Sequence, residues 1–167
     1  MFDNIVERME TSMPRSHRAT ETDEIDGAAD ALLVTSRALV AISVRAVLNA
    51  SIEITVAQHR VLVILSDHGA LAVNQIADRL GVDQSNAGRH CQRLHRNGLV
   101  DRVRAESDRR RVEVVLTPAG RALLAEVSTA RRGDIRAALT RLPPGEISAV
   151  VRSMSALNSA LEGVDPG

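Results

Sequence analysis

Ten consecutive residues of this chain carry Gln84, Ser85, Asn86, Arg89 and Arg93, with Gly88 among them. The Gln and Asn amides match the donor and acceptor pair of an adenine edge, an Arg fork matches guanine, and a Ser hydroxyl reaches either a base or a phosphate. In the same stretch Ala87, Cys91 and Leu94 follow i, i+4, i+7, the spacing of an inward helical face. The polar set falls on the opposite side. It is gathered at the helix N-terminus, the end that a recognition helix directs at base edges in the major groove. An ordinary solvent face would more typically use Glu and Lys. Gly88 lowers helix stability but lets another backbone come close.

Charge supports this reading only when taken locally. The 167 residues contain 21 Arg, no Lys and 21 acids, so the net charge is zero. Dividing the chain after 71 and 121 gives 6 Arg against 10 acids, 10 against 6, and 5 against 5, or net charges of −4, +4 and 0. The basic middle segment holds Arg79, Arg89, Arg93, Arg96, Arg102, Arg104, Arg109, Arg110 and Arg111. A charge run alone is usually a solvated face; one that coincides with the Gln/Asn/Arg helix points to a nucleic acid. The only aromatic residue is Phe2, so the stacking platforms of single-strand and RRM-type binders are excluded.

Other chemistry finds little footing. Cys91 is the only cysteine, which rules out an internal disulfide and a multi-cysteine zinc site, and its place on the inward stripe makes it structural rather than a redox switch. Among His17, His59, His68, His90 and His95 only the last two are close, and a separation of five puts them on different helical faces. No nucleophile elbow and no glycine-rich phosphate loop is present, so neither an enzyme nor a cofactor or metal is expected. The apolar run Ala38 to Ile42 is far too short to span a bilayer, and no apolar signal core opens the chain; no membrane partner and a cytoplasmic location are expected.

The elements that must position the polar set follow from periodicity. A weakly helical arm occupies residues 1–22. A long helix runs from Asp23 to near Ala50, with Asp23, Glu24 and Asp26 in its first turn, and its apolar residues are too many for one small lobe to cover. Thr55 caps a helix to about Asp67, stopped by Gly69. A short helix spans Ala72 to Leu80, then comes a turn at Gly81 to Asp83, then a helix from Gln84 to Asn97 stopped by Gly98. This triplet is a helix-turn-helix unit. Leu99 to Val103 and Val112 to Leu116 form a β-hairpin with a charged loop, Thr117 and Pro118 start a helix that reaches about Leu142, and Glu146 to Leu161 is a final amphipathic helix. The fold class is mainly α with a small β-hairpin wing.

From Ile54 to Leu116 the chain resembles the winged helix-turn-helix of the MarR family of bacterial transcription regulators. The resemblance rests on Asp83 to Arg89, Leu94 and Gly98 to Val100, and on Asp108, Arg109, Arg110 and Leu116 to Gly120. It implies a winged helix-turn-helix lobe at 54–116, joined to a dimerisation helix at 23–53 and dimerisation helices at 117–167. It implies a homodimeric repressor of double-stranded DNA with a pseudo-palindromic operator and a small-molecule effector. The recognition helix would contact DNA through Gln84, Ser85, Asn86, Gly88, Arg89 and Arg93, and the wing through Asp108, Arg109 and Arg110. The family's effector pocket usually has aromatic lining. Here His59 stands where relatives often carry an aromatic, so an aliphatic pocket between the first two helices and the start of the long helix after Pro118 is expected. His59 is either a polar contact to an effector or simply a satisfied or exposed histidine. The alternative from another class, a winged-helix module that docks a protein, calls for an apolar or acidic recognition face.

Overall fold

A computed structural model of the chain describes residues 15–104 and 111–162, of which the first seven are described by backbone alone. Asp108, Arg109 and Arg110, expected in the wing, and arm residues 1–14 lie outside the described residues. The chain divides into two compact units, one up to Ala41 and one from Ile42 onward.

The described part of the first unit is helix. Helix α1 spans Arg15–Leu48, so it starts eight residues before the expected Asp23. Between Arg15 and Thr22 there is no residue that breaks a helix, and Pro14, which a helix interior would reject, immediately precedes it. The first turn therefore contains no acid, and Asp23, Glu24 and Asp26 lie too far along α1 to complement its dipole as expected. Every residue from Thr22 to Ala41 is exposed in the single chain, among them Ile25, Leu33, Val34 and Val40. By length and composition Thr22–Leu48 could cross a bilayer, although no uninterrupted apolar run in it is long: from Ala31 to Leu48 only Arg37 and Arg45 are charged.

In the second unit, Ala46 and Val47 at the end of α1 enter a core built from Val61, Leu62, Ile76, Leu94, Leu99, Val100, Val114, Leu123 and Val127. Full burial of such aliphatic side chains is worth roughly 1.5–3 kcal/mol each. Helix α2 (Val56–His68) opens on a reciprocal cap. The Gln58 amide N–H donates to Thr55 Oγ1 at 3.2 Å and the Thr55 amide N–H donates to Gln58 Oε1 at 2.8 Å, which satisfies the buried Gln58 side chain. Helix α3 (Val73–Leu80) ends at Gly81 in the left-handed region, φ 69°. That conformation turns the chain at once into helix α4 (Gln84–Arg96).

Strands β1 (Val100–Arg104) and β2 (Val112–Leu116) pair antiparallel, with Val100 opposite Leu116 and Arg104 opposite Val112. The first strand begins one residue later than expected. The Leu99 amide is already used, donating to the Leu94 carbonyl at 3.0 Å to close α4. On the other edge of β2, Leu71 exchanges two backbone hydrogen bonds with Val114, at 3.1 and 2.8 Å. This bridge, which no periodicity announces, ties the α2–α3 connection to the wing.

Helix α5 (Pro118–Leu139) starts at a junction where three elements meet. Thr117 Oγ1 accepts from the Gly120 amide at 3.0 Å and donates to the Gly98 carbonyl at 2.7 Å, while the Thr117 amide donates to the Leu99 carbonyl at 3.2 Å. The end of α4 is thus fastened to the start of α5. Helix α5 stops before Leu142 because tight bonds from Arg141 to Ala138 and from Leu142 to Leu139 close its last turn ahead of Pro143. Helix α6 (Glu146–Leu161) buries none of its residues in the single chain.

Candidate nucleic-acid interface

The N-terminus of α4 is shaped by Asp83. Its Oδ1 accepts from the Asn86 amide at 2.8 Å and from the Ser85 hydroxyl. These bonds hold the carboxyl below its ordinary range, the Ser85 hydroxyl contributing most and the Asn86 amide next. Ser85 therefore directs its proton back at the cap and keeps only acceptor capacity outward.

Ala87, Cys91 and Leu94 are fully buried, as the i, i+4, i+7 spacing requires. This stripe locks the rotation of α4 and leaves Gln84, Ser85, Arg89 and Arg93 exposed, with Asn86 and Gly88 half-buried. Arg93 sits beside Leu48, Glu53, Thr55 and Val56 at a small groove by the start of α2. Arg79 Nη1 donates to the Gln75 carbonyl of its own helix at 3.2 Å, so it serves the end of α3. Arg96 on α4, and Arg102, Arg104 and Arg111 on the hairpin, are exposed. His95 Nδ1 lies 3.1 Å from the Val100 carbonyl and joins α4 to β1. Among the described residues no group of three or more His, Cys, Asp or Glu could hold a metal ion.

Gly88 faces α3 more than its sequence position suggested, because a Cβ built there lies 3.9 Å from Val73 Cγ1, an ordinary contact. Gly88→Ala is therefore expected to fold and to gain roughly 0.5–1 kcal/mol of helix stability. If a DNA backbone passes over this point, the same variant loses affinity for its duplex. Thermal melting and duplex titration of one preparation separate the two effects, and unchanged affinity would remove Gly88 from the interface.

His59 lines a cleft of about 200 Å³ with Ser66, Asp67, Ser128, Arg131 and Leu124. Val63, Leu124 and Val127 give this cleft an apolar side. The cleft lies between α2 and the middle of α5, and its wall carries charged and hydroxyl side chains because Ser128 and Arg131 fall on the α5 turns that face α2. Burial, and then the Arg131 guanidinium, hold His59 below its ordinary value. The neutral ring is favoured in the fold, so this group's contribution is present above the ordinary value near 6.5 and is lost as pH falls below it. His59→Gln should consequently flatten the decline in melting temperature between pH 7.5 and 5.5. Parallel declines in both proteins would contradict the assignment.

A tight helix–turn–helix whose second helix presents an exposed polar N-terminal face, followed by a paired hairpin, defines a winged helix-turn-helix lobe, the class of DNA-binding transcription regulators. The chain belongs to the MarR family, whose family model matches residues 52–111. It is similar to the HTH-type transcriptional regulator YfiV of Bacillus subtilis, 33% identical over 111 residues that make up 66% of this chain and 69% of that protein. The crystal structure of RV1404 from Mycobacterium tuberculosis superimposes with a TM-score of 0.72 at 36% identity, covering 86% of this chain and 97% of that one. A MepR variant of S. aureus bound to an oligodeoxyribonucleotide shares the fold, with a TM-score of 0.64 at 20% identity over 80% of this chain and 97% of that one. The fold expected from the sequence, mainly helical with a two-stranded wing, is the one observed.

Proposed function

We propose that the chain acts as a two-fold homodimer that binds a pseudo-palindromic operator in duplex DNA, represses by occupying it, and is released by a small-molecule effector. The observation that carries this reading is the exposed Gln84, Arg89 and Arg93 at the start of a helix whose opposite stripe is fully buried. That combination fixes which side chains point outward, and they are those that pair with base edges. The face is neither apolar nor acidic, which argues against a protein-docking module. Asp108, Arg109 and Arg110, by their place in the hairpin loop, would serve the adjacent minor groove.

Support for the dimer comes from surface that one copy leaves open: Ile25, Leu33 and Val40 on α1, and Ile147, Val151 and Leu161 on α6. A second copy covers such surface symmetrically and presents two recognition helices. Acids at positions 23, 24, 26 and 30 within Thr22–Leu48 favour a protein partner over lipid along that part of α1. An operator-binding regulator works in the cytoplasm. The α2–α5 cleft at His59 is the candidate effector site, its polar wall suiting a polar ligand.

Selection from a random duplex library tests the reading. A palindromic motif should emerge with half-sites roughly 34 Å apart, and its affinity should fall steeply with salt as Arg–phosphate contacts release counterions. Equal affinity for selected and random duplexes would overturn the operator. A stable 18.0 kDa monomer in light scattering would overturn the dimer.

A further inference from the structure

The turn between α3 and α4 fixes the direction of one hydrogen bond on the outward face of α4. Asp83 is held there by its backbone: its carbonyl accepts from the Asn86 and Ala87 amides, at 3.1 Å each. Just before it, Gly81 and the Val82 amide, which donates to the Ala77 carbonyl at 3.2 Å, close α3. The buried stripe of Ala87, Cys91 and Leu94 anchors the helix that follows. Asp83 Oδ1 and the exposed Ser85 hydroxyl are thus brought within hydrogen-bond distance by backbone that is held on both sides.

Chemistry settles which group donates. An ionised carboxylate only accepts, so the proton in this bond is the one on Ser85. A hydroxyl has one proton and two lone pairs; with the proton spent on Asp83, Ser85 offers an outside partner acceptor capacity alone. Phosphate oxygens are acceptors too and make no partner for it. In the major groove the donors are the exocyclic amino groups, N4 of cytosine and N6 of adenine, whereas guanine presents N7 and O6, and thymine presents O4 and a methyl group. A Ser free to rotate its proton would serve donors and acceptors alike.

We propose that Asp83 is a positioning residue for base reading, which by holding the Ser85 proton makes Ser85 sort bases by amino group against keto group. The inference rests on the operator-binding mode proposed above and adds what one of its contacts reads. At one position in each half-site, adenine and cytosine on the strand facing Ser85 should bind alike, and guanine and thymine alike but less well. Neither a purine–pyrimidine preference nor an A·T–G·C preference gives that grouping. The expected ratio is about fivefold per half-site, the worth of one neutral hydrogen bond.

The test titrates full-length proteins against single-base changes in the selected operator. Ser85→Ala marks the position, since it should lose preference at one base pair in each half-site and at no other. There the wild type should group adenine with cytosine. Asp83→Gly removes the acceptor while Gly still serves as a helix cap, and it should lower the amino-to-keto ratio below about twofold at that position alone. Loss of the Asp83 charge raises affinity for every duplex alike and cancels in the ratio. Asp83→Asn keeps an oxygen that accepts from both Ser85 and the Asn86 amide, so it should restore the grouping; a merely capping role would move all sequences together. Circular dichroism checks folding. Should Asp83→Gly not fold, the duplex carries the test: replacing the preferred adenine by purine, or cytosine by 2-pyrimidinone, removes only the amino group and should cost the wild type about fivefold more than it costs Ser85→Ala. Equal costs in the two proteins, an unchanged ratio in Asp83→Gly, a different grouping, or no position marked by Ser85→Ala would each overturn this inference and leave the operator standing. A wild type that selects no motif would instead overturn the operator-binding mode itself.

Discussion

Gly120→Ala is expected to cost about 3 kcal/mol of stability and to lower the melting temperature by roughly 6–12 °C. A Cβ at this position would lie 2.1 Å from the Leu99 carbonyl oxygen, 2.9 Å from Leu116 Cδ2 and 3.1 Å from the Leu99 carbonyl carbon. Two of the three atoms are backbone, which cannot swing aside as the end of a flexible side chain can. The Leu99 oxygen also accepts from the Thr117 amide, so moving it sacrifices a hydrogen bond worth about 0.5–1.5 kcal/mol. The displaced Leu99 lies three residues past the end of α4 and donates its amide to the Leu94 carbonyl of that helix, so operator affinity should fall with stability. Gly133→Ala is the matched control. It lies on the same helix, a Cβ there meets nothing within 4 Å, and it should stabilise by about 0.5–1 kcal/mol. Thermal unfolding of both variants decides the matter, and equal melting temperatures would refute the close packing of α5 against Leu99.

The second large effect is on specificity. Arg89→Ala is expected to relax base preference at one position in each half-site by about 1–3 kcal/mol, because Arg89 is exposed on α4 and in the proposed binding mode pairs bidentately with guanine. Arg110→Ala, in the charged segment between β1 and β2 in the sequence, should instead weaken binding to most sequences alike and reduce the salt slope, since the minor groove offers a degenerate code. Both variants are titrated against a library of single-base operator changes at two salt concentrations. Intact preferences in Arg89→Ala together with rewritten ones in Arg110→Ala would reverse the roles of helix and wing.

Local chemistry determined much of this protein before any folding was considered. The stripe of Ala87, Cys91 and Leu94 set which side of α4 is outward, since a helix has one period and a buried face cannot also be exposed. Thr55 and Thr117 marked helix starts because side chains that cap orphan amides are few, and Gly69, Gly81 and Gly98 marked ends because their φ values of 77°, 69° and 70° favour glycine. The lengths of the two β-branched segments announced the hairpin. What the tertiary structure decided were relations between residues far apart in the chain. Leu71 pairs with Val114 because a backbone edge was free there. Ser51 donates its amide N–H to Glu126 across 75 residues, at 2.7 Å, and Arg131 of α5 and His59 of α2 come to line one cleft. Gly120 was legible as part of a motif, but its need to be glycine arises only from the Leu99 carbonyl above it. Periodicity and capping are short-range and act through neighbouring residues, whereas contacts between helices depend on how whole elements dock, and packing sets that docking without any mark in the local sequence.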